Sequence, residues 1–344
     1  MRRLRLLHTR SQDGYGDADR WGDGRVKGVI GPLVKLLVSA GLIALFLLQI
    51  DFADVTAAVA TARPSYLGLA VVLFVVSNLL GALQWRELLR VQGIELPVLR
   101  IISLYFVGVF FNNFLVSNIG GDAVRVYDLK RITGEGSKGF AATFLDRFVG
   151  LFVLILFSVV ALSRNPALWS PSIALPIAAL VCVIAGILVF GFSRRLSATI
   201  LRVIDRIAPQ ALIALLNRIR DGFIAYRKAY GTLGRVLLFA CGVQLLRIAV
   251  YYSVGFGMNL TAGFDHYVIF IPLIAIVAAV PISFGGIGVR ENLGALFFAR
   301  VGVSGAEALA MMFLGYLAGI VASLAGGVSF VFRRYVSKED ADEE

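Results

Sequence analysis

Long apolar stretches without charge constrain this chain more than any other feature. Runs of about 20 residues recur at roughly 32–50, 65–84, 139–162, 172–192, 236–257 and 306–332, the length a bilayer core demands of a helix. Only 16% of residues are charged against 58% hydrophobic, and mean hydropathy is +0.83, so a soluble core cannot hide the apolar surface. A helix in lipid satisfies its own backbone, and the expected class is an all-α polytopic membrane protein. A secreted or cytosolic enzyme is excluded. Cys182 and Cys241 lie within apolar segments without CxxC or CxxH spacing, and His8 and His266 are the only histidines. Neither a disulfide framework, a metal site nor a cofactor is expected.

Residues 1–27 are polar, rich in Gly, Asp and Arg, and carry no apolar core of a signal peptide; they are expected as a disordered basic cytoplasmic tail. The membrane domain is expected over 28–336, followed by an acidic tail at 337–344. Within the domain, 196–230 is polar but periodic. Leu212, Leu215, Leu216, Ile219, Phe223 and Tyr226 share one helical face, while Arg202, Arg206, Arg218, Arg220, Arg227 and Lys228 occupy the others. That is the pattern of a helix lying on an anionic membrane surface, broken at Pro209. A nucleic-acid partner is not expected.

Two further apolar stretches, 101–118 and 267–283, run into Gly-rich breaks, LVSNIGGDAVR (115–125) and VPISFGGIGVR (280–290). Charge decides whether they cross. If all eight stretches span, Lys and Arg divide evenly between the two sides. If both broken stretches dip in and return, only Arg63, Arg164, Arg290 and Arg300 fall outside, with Lys35, Arg147 and Arg247 at or within the membrane. All other Lys and Arg of the 33 then lie with both termini on the cytoplasmic side of a bacterial or archaeal plasma membrane. The first hairpin enters from the cytoplasm and the second from outside. Each half reads span, span, re-entrant hairpin, span, giving six full spans and two broken hairpins in an inverted repeat. Gly120-Gly121-Asp122-Ala123-Val124-Arg125 and Gly285-Gly286-Ile287-Gly288-Val289-Arg290 match as GGxxVR.

Irregular backbone at membrane depth survives where protein or a water-filled cavity satisfies it, so these breaks are expected to line a cavity. Helices that start after them present free N–H groups and a positive dipole end, which suits an anion. Arg125 and Arg290 stand where bidentate contacts to a phosphate are available, with Asp122, Asp128 and Glu291 as their positioning carboxylates. The alternative is that both arginines fix hairpin depth by snorkelling. Asp146 and Arg147 lie about two turns into a span, and Arg247 lies near the middle of another. Neighbours on a helix point about 100° apart, so Asp146 and Arg147 each need a partner on another element. Arg247 is a candidate for Asp146, and a hairpin carbonyl or a headgroup for Arg147. Asn78, Gln84 and Gln244 are expected as interhelical glue, and Asn112, Asn113 and Asn118 as groups that satisfy the first break. The stripe Gly315, Gly319, Ser323, Gly327 points to close helix packing, within the chain or in a homo-oligomer.

The motifs NNFLVSNIGGDAVRVYDLKR (112–131), TFLDRFVG (143–150) and VPISFGGIGVREN (280–292) resemble the flippase-like integral membrane family that includes the transmembrane domain of lysylphosphatidylglycerol synthases. The resemblance covers roughly 30–335. It implies an inner-membrane protein that handles a lipid, such as an aminoacylated phospholipid or a polyprenyl-linked sugar. The synthases carry an aminoacyl-transferase domain after the membrane part; the expectation here is a member without one. Where the family often has Glu-Arg, this chain has Asp146-Arg147.

Three functions compete. The first is a flippase that binds and moves an anionic phospholipid or polyprenyl-phosphate headgroup. Its candidate contacts are Asn118, Gly120, Gly121, Asp122, Arg125, Asp146, Arg147, Arg247, Ser283, Gly285, Gly286, Arg290 and Glu291. The second is an intramembrane lipid-phosphate enzyme, for which Ser283, Arg290 and Glu291 come nearest to a catalytic set. The third is a non-transporting partner of a lipid-modifying or glycosyltransferase complex.

Overall fold

The computed structural model describes residues 62–114, 120–164, 209–279 and 288–332, with isolated positions elsewhere, mostly between 175 and 202. The expected tails, the span 32–50, most of the span 172–192, and the break residues Asn118, Ser283, Gly285 and Gly286 lie outside the described residues. Every regular element among the described residues is helical.

Among the described residues, four helices are long and apolar enough to cross a membrane: α1 (Pro64–Val91), α4 (Gly136–Arg164), α6 (Tyr230–Gly257) and α9 (Gly305–Phe332). Local chemistry sets their ends. Pro64 stands at the first position of α1, where its missing N–H costs nothing, and Arg90 faces the negative end of the helix dipole. Ser304 and Glu307 cap α9 reciprocally: the Glu307 N–H donates to Ser304 Oγ at 3.2 Å, and the Ser304 N–H donates to Glu307 Oε2 at 2.9 Å.

The two broken stretches form helical pairs. In the first, α2 (Val98–Phe114) is followed by α3 (Gly120–Thr133). Gly108 faces Gly121 and Arg125, and Asn112 faces Gly121, contacts that run in opposite directions along the chain, so the pair is antiparallel. In the second, α7 (Phe264–Ala279) turns back into α8 (Val289–Phe298), with Tyr267 against Phe298 and Phe270 stacked on Phe297. The described parts of α2 and α7, 17 and 16 residues, reach about 26 and 24 Å at the helical rise.

Packing is densest between α1 and α6, which lie antiparallel. The Arg63 N–H donates to the Gly257 carbonyl at one end, Ser253 Oγ donates to the Tyr66 carbonyl at 3.0 Å, and Arg235 pairs with Glu87 at 2.9 Å at the other end. Around this pair, α2 packs on α3 and α9, α3 on α4, α4 on α7, α7 on α8, and α8 on α9. One apolar core, built largely from α6 to α9, centres on Tyr267, Phe270, Phe298 and Met311; the other centres on Trp85, Leu88, Leu104 and Leu145 of α1, α2 and α4.

The periodic polar segment is a helix from the predicted break onward: α5 (Gln210–Tyr226) starts directly after Pro209. Tyr226, placed on the apolar face by its spacing, is fully buried and its hydroxyl donates to the Leu88 carbonyl at 2.9 Å. Burial holds this phenol well above its ordinary pKa, so it stays a donor throughout the physiological range. Of the two explanations for the small-residue stripe, packing within the chain is present. Gly315 lies under Tyr251, Gly319 under Phe74, and Gly327 under Phe110, and Ser323 is fully buried.

Candidate functional site

At the start of the described part of α3, Gly121 leaves no room for a side chain. A Cβ there would run into the Gly108 carbonyl and the Asn112 backbone. The Gly121 N–H, one of the orphan donors of a helix start, donates instead to Asn112 Oδ1 at 2.9 Å. The predicted role of Asn112 in the broken backbone is thus realised, and α3 is held tightly against α2.

That placement feeds two α3 side chains into α4. Asp122 accepts from Arg147 Nε at 2.6 Å and pairs through its other oxygen with Arg125 Nη2 at 3.3 Å. Arg125 Nη2 also reaches Asp146 Oδ2 at 3.3 Å, and Gln84 Nε2 of α1 donates to Asp146 Oδ1 at 2.9 Å. A continuous chain results: Arg147, Asp122, Arg125, Asp146, Gln84. Asp146 and Arg147 do each meet another element, as their 100° divergence requires, and both meet α3. The candidate Asp146–Arg247 pair is not formed; Arg125, on the helix that Gly121 holds tightly against α2, occupies the carboxylate.

Aromatic rings complete the enclosure. The Arg125 guanidinium carbon lies 4.5 Å from the Trp85 ring centre and 5.0 Å from that of Tyr105. Trp85 is fixed in turn by donating its Nε1–H to Thr143 Oγ1 at 3.1 Å. Arg125 is 3% exposed, whereas the Arg147 side chain is 49% exposed although it is anchored on Asp122. The two predicted arginines of the first half therefore differ: one is locked inside, and the other is held and open.

Arg247 approaches the same place from α6. Its guanidinium lies within electrostatic reach of Tyr105, as do Arg125, Arg147 and Asp146. Among the described residues Arg247 has no ion-pair partner, and its buried Nε has no hydrogen-bond partner. The cluster around Tyr105 thus sets Arg125, Arg147 and Arg247 against Asp122 and Asp146. Among these five described residues one positive charge is in excess.

Arg290 and Glu291 lie apart from this cluster, at the start of α8. Gly288 adopts φ +82°, a conformation that favours glycine, and its N–H donates to Glu291 Oε2 at 2.7 Å. Glu291 is therefore a helix cap. The Arg290 guanidinium lies 4.8 Å from the Tyr316 ring centre on α9. Of the described candidate residues, the structure gathers Asp122, Arg125, Asp146, Arg147 and Arg247 and sets Gly120 and Gly121 beside them. Trp85, Tyr105 and Thr143 join the cluster without having been singled out from the sequence. Their only signal there is that polar-tipped residues recur along otherwise aliphatic helices.

Comparison with known proteins agrees with this architecture. The family model described as the lysylphosphatidylglycerol synthase TM region matches residues 33–327. A UPF0104 membrane protein of Pyrococcus horikoshii is 25% identical over 288 residues, covering 76% of this chain and 84% of that protein. A UPF0104 membrane protein of Methanothermobacter thermautotrophicus is 25% identical over 311 residues, covering 82% and 87%. The glycosyltransferase AglD of Haloferax volcanii is 24% identical over 360 residues, which covers 93% of this chain and only 56% of that enzyme. The match over nearly the whole described membrane part identifies this chain as a member of the lysylphosphatidylglycerol synthase transmembrane-region family.

Proposed function

We propose that this protein is a lipid transporter of the flippase type, which binds an anionic, phosphate-containing headgroup and carries it between leaflets. The observation that carries the proposal is the surplus guanidinium at Tyr105. Charges within membrane-spanning helices are costly, and each is expected to be paired. Here two carboxylates face three arginines, and Arg247 is the one without a protein acceptor among the described residues. A phosphodiester headgroup carries the single negative charge that balances the set. Arg247 and the open side of Arg147 are its ligands, and Arg125, clasped by Asp122 and Asp146, positions the site from beneath. Gly120 and Gly121 of the first break and Arg290 and Glu291 of the second border the path of the headgroup, and the expected contacts Asn118, Ser283, Gly285 and Gly286 lie outside the described residues.

The inverted repeat supports transport. Exchanging α1 with α6, α2 with α7, α3 with α8 and α4 with α9 turns the set of packed helix pairs among these elements into itself. A pseudo-two-fold axis through the antiparallel α1–α6 pair produces such a set. With the expected spans 32–50 and 172–192 completing each half, the protein has six spans, two re-entrant hairpins and cytoplasmic termini.

The test uses the protein in liposomes with a headgroup-labelled anionic phospholipid, read by the accessibility of inner-leaflet label to an impermeant quencher. Wild type accelerates exposure over empty liposomes, and Arg247→Gln slows it about tenfold, the cost of one charge-assisted contact. Equal rates for both proteins would contradict the proposal. A second reading is favoured by the similarity to a glycosyltransferase: the membrane part holds a lipid for a transferase without moving it. In that case Arg247→Gln weakens lipid binding while wild type moves no lipid. Release of phosphate from labelled lipid by wild type would instead identify an intramembrane enzyme.

A further inference from the structure

Where α1 ends and α2 begins lies a concave pocket of about 260 Å³ lined by Arg86, Arg90, Glu95, Leu96 and Pro97. Two guanidiniums, of Arg86 and Arg90, line it, and Arg100 stands one helical turn beyond Pro97. Their charge is not balanced by the acids nearby. Glu87 is shared between Arg90 at 3.4 Å and Arg235 at 2.9 Å, which leaves Glu95 for the rest. The Nε atoms of Arg86 and Arg100 are buried, and neither has a hydrogen-bond partner among the described residues. A buried donor without an acceptor is costly, and such donors on the lining residue Arg86 and on Arg100 a turn beyond Pro97 point to a missing acceptor in this region. The unpaired N–H groups at the start of α2 add partial positive charge at the same end.

We propose that this pocket binds a phosphate-class anion, gripped by the forked guanidiniums of Arg86 and Arg100 with Arg90 at the mouth. The pocket lies where a membrane-spanning helix emerges, which is the level of lipid headgroups. Leu96 and Pro97 line it, and Leu99 beside it is 82% exposed, so apolar surface is present for the chains of a lipid. The anion is a phospholipid headgroup or free phosphate, which share this chemistry. The site is separate from the cluster at Tyr105 and does not depend on the transport reading; on the topology proposed above it faces the cytoplasm.

The full-length protein in neutral detergent is titrated with a short-chain phosphatidylglycerol and, separately, with inorganic phosphate, with binding read by calorimetry. Wild type, Arg86→Lys, Arg86→Gln and the double variant Arg86→Gln with Arg100→Gln are compared, each also in an Arg247→Gln background that removes the other anion site. The double variant is expected to bind about tenfold more weakly in both backgrounds, with Arg86→Lys intermediate because it keeps charge but loses the fork. Lipid binding far tighter than phosphate assigns a headgroup, and equal affinities assign free phosphate. Should the double variant aggregate, Arg86→Gln alone carries the comparison. Unchanged affinity in a monodisperse Arg86→Gln protein, or no binding of either probe to wild type, overturns the proposal.

Discussion

Arg125 is the residue on which the first half turns. Its guanidinium bridges two carboxylates from two helices and lies against two aromatic rings, with only 3% of the side chain exposed. Replacing it with Gln leaves Asp146 buried without its counter-charge, and we expect Arg125→Gln to lower stability by about 3–5 kcal/mol. Denaturant unfolding in mixed micelles measures this. Adding Asp146→Asn to Arg125→Gln removes the stranded charge, so the double variant is expected to be more stable than Arg125→Gln alone. If instead the two losses add fully, the pair is not coupled. Gly121 sets the same geometry by absence. Gly121→Ala pushes a methyl group into the Gly108 carbonyl and the Asn112 backbone, with an expected cost of about 1–3 kcal/mol by the same measurement.

At the scale of elements, the hairpins are where hydropathy and charge disagreed in the sequence, and both are short antiparallel helix pairs in the structure. Single cysteines replacing Lys138 and Arg300 are expected to react with an impermeant maleimide from opposite sides of intact vesicles. Reaction of both from one side would defeat the inverted arrangement. Much of this was legible in residues: apolar runs gave α1, α4, α6 and α9, Pro209 marked the start of α5, and Gly120-Gly121 marked the start of α3. The partner of Asp146 was not. Periodicity tells which face of a helix a charge occupies, while the choice between Arg125 and Arg247 depends on how closely α3 packs on α2, which Gly121 sets through three-dimensional contact. Trp85 and Tyr105 were hidden for a related reason. An aromatic residue in an apolar run reads as core until an arginine is found against its face.

For the whole molecule, α1 to α4 and α6 to α9 meet along α1 and α6; the ion-pair network of Asp122, Arg125, Asp146 and Arg147 lies on α3 and α4, with Arg247 facing it from α6. The cluster of Asp122, Arg125, Asp146 and Arg147 has no ionic counterpart among the described residues of α7 to α9, where Met311 and Met312 are buried among aromatic rings. On the inverted repeat proposed above, a polar cluster between the two halves suits a headgroup that is bound once and exposed in turn to either side. The binding site can be observed directly, by determining the structure of the protein in nanodiscs that contain anionic phospholipid. Our reading predicts phosphate density within hydrogen-bond distance of Arg247 and Arg147, beside Tyr105. Ordered lipid bound elsewhere, with a protein carboxylate paired to Arg247, would contradict it.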